Sequence, residues 1–392
     1  MPPDLDADLA ALEPEMIARR RDVHQHPELG FKETRTAGVV ADELRRLGLP
    51  VRTGVGRTGV VADLVGARPG PCILLRFDMD ALPVQEATGA PYASVNAGVS
   101  HACGHDAHVA IGLALAKAFA TRKAQIAGRI RFVFQPAEEI ADGAKGMIAD
   151  GALADPAPVA SFGLHVWNKR PVGWIGATPG PCMAAVDRFE IELEGGGGHG
   201  ALPHLANDAI VASAHVVAAL QTVVARNVDP LEAAILSVGM IQGGDAFNVL
   251  PDRVRLRGTL RSYVPSTRDR VVARLTEVAT GVAAALGCRA QVRVEALGIA
   301  LANDEAAAAR VREIARQTPG VTDVTATERT MGGEDMAYFL ERAPGCFFFV
   351  GSANPEKGLD ASHHTPAFDI DERALLVGAR VLARVAADHV LR

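Results

Sequence analysis

The chain has 392 residues, with 40 Lys plus Arg against 46 Asp plus Glu, 48% hydrophobic residues and a formal net charge of -6 at pH 7. That is length for two or three domains, each with its own core, and too apolar and weakly charged for a disordered chain; the acidic balance leaves no basic footprint for nucleic acid. No apolar run of 18 residues is uninterrupted, and the start MPPDLDADLAALEPEM is acidic, with no basic stretch leading into an apolar block, so neither a membrane span nor a signal peptide is expected.

In chain order, a helix is expected from about Leu5 to Val23, stopping before Pro27, and a second over Thr34–Leu47, ended by Gly48. CILLRF (72–77) reads as a buried strand, Asp106–Ala120 as a helix with a wide apolar face, and RIRFVFQ (129–135) and SFGLHVW (161–167) as further strands. Alternating strands and helices argue for a mostly parallel sheet covered by helices. Near residue 185 the character changes. DRFEIELEG (187–195), a helix capped at Asn207 and running to Arg226, strands at 233–241 and 252–263, a helix Ser266–Leu286 and a strand 288–297 give β-α-β-β-α-β. This is a split-βαβ, ferredoxin-like module. Helices at Glu305–Gln317, Glu334–Arg342 and Glu372–Leu391, with a strand at CFFFVG (346–351), resume the first pattern. The expected architecture is α/β: a catalytic domain of residues 1–184 and 298–392, and an inserted domain of residues 185–297.

Twelve histidines cluster in a few places, notably HACGHDAH (101–108), GHGALPH (198–204) and SHH (362–364). Cys103 and His105 are two apart and cannot share a helix face; they converge if Cys103 lies in the entering loop and His105 in the first turn. A soft thiolate beside an imidazole suits a borderline metal, although a buried cysteine and capping histidines would write the same octapeptide. In QPAEE (135–139) two carboxylates stand just past a strand end, where α/β sheets keep their sites. Their side chains diverge, so one carboxylate can bind metal while its neighbour faces substrate as a base; a lone acidic pair is more often a solvated loop. His165 ends an apolar strand, and His363 and His364 precede a helix. Cys103, His105, Glu139, His165 and His364 together exceed one tetrahedral ion and suit two ions sharing a ligand and a water.

Two other patterns lack the context they need. Gly195–Gly200 formally satisfies GxGxxG, but Pro203 and the ALPHLAND stretch separate it from the next helix, and no acidic residue ends the following strand. Gly98-Val99-Ser100-His101-Ala102 approaches GxSxG without its last glycine. The five cysteines are scattered, odd in number and without a CxxC, as expected of reduced thiols in a cytoplasmic protein.

The runs RRDVHQHPELGFKE, RFDMDALPV, SHACGHDAH, FQPAEE, LHVW, GGHGALPH, NVLPD, GTLR, GGEDMAYF and HHTPAFDIDE occur in order over nearly the whole chain. Together they closely resemble the amidohydrolase branch of the M20 metallopeptidase family, which includes hippurate hydrolases, N-acyl-amino-acid amidohydrolases and auxin-conjugate hydrolases. The resemblance implies a catalytic α/β domain with an inserted lid and dimerisation domain, and two divalent ions per subunit (Zn, Mn, Ni or Co). Their ligands would be Cys103, His105, Glu139, His165 and His364, with Cys103 bridging and Glu138 the general base. Where the wider family has HxD this chain has Asp78-Met79-Asp80, so His105 takes the place of the missing histidine. The resemblance also implies that His199 is a lid histidine reaching a partner subunit's site, and that Asn248 and Arg261 bind the substrate carboxylate; Glu334 lies near the site without an assigned role. The expected function is hydrolysis of N-acyl amino acids to a carboxylic acid and a free amino acid, by a cytoplasmic homo-oligomer (dimer or tetramer) with no nucleic-acid or membrane partner. The alternatives are a dipeptidase or carboxypeptidase of the same family, and a metal- or ligand-binding module without catalysis.

Overall fold

The computed structural model describes residues 3–391, and the chain divides into two compact units. The first comprises residues 1–180, 302–329 and 334–392; the second comprises residues 181–301 and 330–333.

The first unit is built on an eight-stranded mixed sheet. Its middle is four parallel strands, in the order Ala127–Gln135, Arg68–Asp78, Ala160–Pro171 and Cys346–Ala353. All four are rich in Val, Ile, Leu and Phe, because a strand covered on both faces has no solvent side to keep polar. From Arg68–Asp78 the chain moves to a neighbour on one side and then to a neighbour on the other. That makes the carboxyl end of Arg68–Asp78 a topological switch point, the place where open α/β sheets hold ligands. The antiparallel strands Val51–Val55 and Gly59–Val65 extend one edge, and the short strands Trp174–Gly176 and Asp323–Thr325 the other. The helices His105–Ala120 and Arg373–Val390 bury most of their residues against the sheet.

The expected first helix is two, Pro3–Ala11 and Glu13–Gln25, broken at Leu12. Pro14 is the cause: it fits the first turn of a new helix, whose N–H groups are unpaired anyway, but not the interior of a continuing one. The expected helix Glu334–Arg342 is shortened to Ala337–Arg342, because the Glu334 carboxylate reaches forward to accept the Met336 N–H at 2.9 Å.

The second unit has the strand order Ala234–Gln242, Arg253–Ser262, Ala185–Glu194, Arg289–Gly298, all antiparallel, with the helices Ala209–Asn227 and Pro265–Ala285 on one face. This is the ferredoxin-like order. Phe189, Ile191, Leu193, Val254, Leu256 and Leu260 fill the covered face, while Arg and Glu alternate with them on the other. Ala209–Asn227 is long and apolar enough by length and composition to cross a membrane; here it packs Ala212, Val216, Leu220 and Val223 into this core. Its cap is Asp208 rather than Asn207: Asp208 Oδ1 accepts the Ile210 and Val211 N–H groups at 2.8 and 3.0 Å. Asp208→Ala is expected to cost roughly 1 kcal/mol of stability, read as a lower urea midpoint at unchanged slope.

Candidate metal centre

The CGH turn delivers two donors to one point. Gly104 has φ +87°, and a Cβ there would meet Val166 Cγ2 at 2.3 Å, so only glycine fits between Cys103 in the loop and His105 at the helix start. Cys103 Sγ lies 3.5 Å from His165 Nε2 on the neighbouring strand. His105 Nδ1–H donates to the Asp80 carbonyl at 2.9 Å, and His165 Nδ1–H donates to the Val166 carbonyl at 2.6 Å. Both rings thereby turn Nε2 into the site, where each offers a lone pair in its neutral form. His105 Nε2 and Glu139 Oε1 are buried, 3.9 Å apart, without a hydrogen-bond partner among the described residues. His364 Nε2 stands 3.5 Å from the same Glu139 oxygen.

Donor atoms of Cys103, His105 and His165 all lie within 4.8 Å of one another, as do those of Cys103, Glu139 and His364, and those of His105, Glu138 and Glu139. Cys103 belongs to both of the first two sets, the placement of a shared ligand. Two buried polar atoms without a hydrogen-bond partner are costly unless a cation fills the space between them. The donor chemistry, one thiol with imidazoles and a carboxylate, fits divalent ions such as Zn, Mn, Ni or Co.

The electrostatics point the same way. Burial, with Glu139 and Glu138 close by, pushes the Cys103 thiol well up, so a bound cation would displace its proton. Burial opposes the His105 imidazolium, yet Asp78, Asp80 and Glu139 outweigh it and push His105 up to about 10, so a bound cation would displace the Nε2 proton here as well. Burial and the nearby His108 hold His165 well down, in its neutral, ligating form. The Glu139 carboxylate raises His364.

Several residues near the centre are structural. His108 donates Nδ1–H to Asp78 Oδ1 at 2.5 Å and accepts the Val166 N–H on Nε2 at 3.0 Å, so neither nitrogen is left for a metal. His363 donates to the Val166 carbonyl at 3.0 Å and packs against Trp167 and Phe368. Its neighbour His364, at φ +63°, turns the other way.

Glu138, 9% exposed, stands beside Glu334 and Asp335, with carboxylate oxygens within 4.8 Å. Burial, Glu334 and Glu139 push its carboxyl well up. Arg76 organises this corner. Its guanidinium, 1% exposed, donates to Asp78 at 2.5 Å, Glu334 at 2.7 Å, Asp335 at 3.1 Å and Gln135 at 2.8 Å. Glu334 therefore belongs to the wall of the site. Sequence reading missed Arg76, Asp335 and His108, because one more arginine on an apolar strand or one more histidine on a helix carries no local signal of its partners.

The remaining candidates lie in the second unit. His199 and Asn248 come together there: Gly198–His199 pairs with Val249–Leu250, and Gly200 N–H donates to the Asn248 carbonyl at 2.8 Å. His199 is exposed, and its Nδ1 accepts the Ala201 N–H at 3.0 Å, leaving Nε2–H as an outward donor. Arg261, on the strand Arg253–Ser262, is half-buried and donates to Thr259 Oγ1 at 3.1 Å. The GxGxxG-like run leads into the Gly198–His199 strand and not into a helix.

A donor cluster at the switch point of an α/β sheet, with a free carboxylate beside it, defines a metal-dependent hydrolase. The chain belongs to the peptidase family M20/M25/M40, which matches residues 74–388. It is 42% identical over 368 residues to the N-acetyl-L-cysteine deacetylase of Bacillus subtilis, covering 94% of this chain and 86% of that one. It is 36% identical over 387 residues to thermostable carboxypeptidase 2 of Saccharolobus solfataricus, covering 97% of each. Among solved structures, the YXEP protein of Bacillus subtilis, a dinuclear metal-binding peptidase of the M20 family, is similar with a TM-score of 0.84 and 35% identity, covering 97% of this chain and 98% of that one. The chain is accordingly a hydrolase of amide bonds, with divalent metal as its cofactor.

Proposed function

We propose that the protein hydrolyses the amide bond of N-acyl amino acids, releasing a carboxylic acid and a free amino acid. The observation that carries this reading is the donor cluster sharing Cys103, set beside a Glu138 carboxylate that no cation hydrogen-bonds among the described residues. Cys103, His105, Glu139, His165 and His364 would hold the two ions. When bound, such ions polarise an amide carbonyl and lower the pKa of water. Glu138 takes the proton of the attacking water and passes it to the leaving nitrogen, a role for which its raised pKa equips it. The His199 Nε2–H supplies a hydrogen bond to the developing oxyanion, delivered by the second unit acting as lid in a homo-oligomer. Asn248 and Arg261 bind the substrate carboxylate. Five buried thiols support a reducing, cytoplasmic setting.

The similarity to a deacetylase favours a small acyl group, and the similarity to a carboxypeptidase favours a second reading, release of a C-terminal residue from a peptide. Both substrates present a free α-carboxylate next to the scissile amide. A panel of N-acetyl, benzoyl and indole-3-acetyl amino acids alongside dipeptides separates them by kcat/KM. Removing metal with a chelator is expected to abolish turnover, and adding back Zn, Mn, Ni or Co to restore it. Full activity in protein shown to be metal-free would overturn the site.

A further inference from the structure

The run HPELGFKE (26–33) supplies neither ligand nor base, yet the fold lays it against both acidic loops of the centre. Glu33 is fully buried. Its Oε1 accepts the Ala137 N–H at 2.9 Å, and its Oε2 accepts the Thr58 hydroxyl at 2.5 Å. No cation pairs with this carboxylate among the described residues. Ala137 immediately precedes Glu138 and has φ +53°, a left-handed conformation that costs a non-glycine residue about 1–2 kcal/mol. Ala141, at the far side of the same loop, has φ +55°. Gly30 backs the strained residue: a Cβ at position 30 would meet Ala137 Cα and Cβ at 3.2 Å.

The same segment grips the neighbouring loop. Leu29 bridges to Ala81, whose N–H donates to the Glu28 carbonyl at 2.8 Å, and Asp80 Oδ2 accepts the Glu139 N–H at 3.0 Å. Glu28 in turn accepts the Arg35 and Thr36 N–H groups at 2.9 and 2.8 Å, which anchors the start of the helix Thr34–Arg46 next to Glu33. A buried carboxylate without a cation is an expensive way to satisfy one peptide N–H. The outlay is intelligible if the position of that peptide matters more than stability, as strain stored beside a functional site does.

We propose that Glu33 is a positioning residue: by holding the Ala137 peptide in its left-handed shape against Gly30, it sets the Glu138 carboxylate beside Glu334 and Asp335 and the Glu139 carboxylate beside His364 from one strained turn. The inference rests on the roles given above to those two glutamates. A misplacement on the order of 1 Å costs about 10²-fold in rate.

The test compares holoenzyme variants on an N-acetyl amino acid, with Co(II) binding followed by visible absorption as a readout independent of turnover. Glu33→Ala is expected to lower kcat about 10²-fold with little change in KM, and to alter the Co(II) spectrum. Glu33→Gln retains an oxygen for Ala137 and an N–H for Thr58, and is expected to recover most of the rate. Thr58→Val is expected to stay near wild type. Wild-type kcat and spectrum in Glu33→Ala, with only a lower melting temperature, would overturn the proposal, as would Glu33→Gln being as impaired as Glu33→Ala. Should Glu33→Ala not fold, Gly30→Ala carries the test, since it displaces Ala137 while leaving Glu33 intact; an unchanged rate and spectrum there also overturn it. Inactivity of the wild type on every N-acyl amino acid would instead count against the substrate reading, and the Co(II) spectra would still decide the role of Glu33.

Discussion

Glu138→Gln is expected to keep its metal and its fold while losing about 10²- to 10⁴-fold in kcat, the range of a general base. The two adjacent glutamates are chemically alike, and their surroundings separate them. Glu139 points an unsatisfied oxygen toward His105 and His364. Glu138 instead faces Glu334 and Asp335, whose proximity, after burial itself, lifts its carboxyl well above the ordinary range. A carboxylate with raised affinity for a proton takes one from water more readily and can return it to an amine. The glutamine variant preserves volume and hydrogen bonding, so metal analysis should read as wild type. Glu139→Gln should differ in kind, with one ion lost or weakened. Turnover within tenfold of wild type in a metal-loaded Glu138→Gln protein would remove Glu138 from the base role.

What could be read from the sequence follows from how local each signal is. The CGH spacing, the paired glutamates past a strand end and the period-two pattern of the inserted strands are short-range, and each segment folds as its own residues direct. His363 and His364 are harder: burial separates two neighbouring histidines only once Trp167 and Phe368 are in place around the first. Arg76 and Glu334 are 258 residues apart, and neither residue type at its own position announces the other. The same holds for His108, whose two partners come from two other strands, and for Glu33, whose partner peptide is 104 residues away. Broken helix boundaries at Leu12 and before Ala337 have local causes, a proline and a glutamate whose carboxylate accepts the N–H two residues ahead, and both are visible once the competing hydrogen bond is considered. Candidate donors are therefore legible where motif spacing gathers them, while the residues that hold those donors in place are not, because their reasons lie across the sheet.

Arg76→Met is expected to destabilise the metal-free protein by about 3–5 kcal/mol, the cost of stripping a buried ion cluster of its cation. Asp78, Glu334 and Asp335 would be left sharing a buried corner with Glu138 and nothing positive hydrogen-bonded among them. The effect should reach the ligands through Asp78, which orients His108, which in turn holds the Val166 N–H beside His165. The loss has a direction with pH. Even with Arg76 present, burial raises Glu334 to about 7 and Asp335 to about 6, so the folded state binds more protons than the unfolded chain between their ordinary values and these. Stability from this cluster therefore falls as pH rises through that window. Without the arginine both carboxyls move higher still and the window widens upward. Urea unfolding of metal-free wild type and Arg76→Met at pH 5.5 and pH 8 should then show the smaller difference at the lower pH, roughly where the carboxyls take up protons. An equal difference at both values would mean that Arg76 acts by packing alone. A difference that grew toward acid would mean that the carboxylates do not depend on it for their charge.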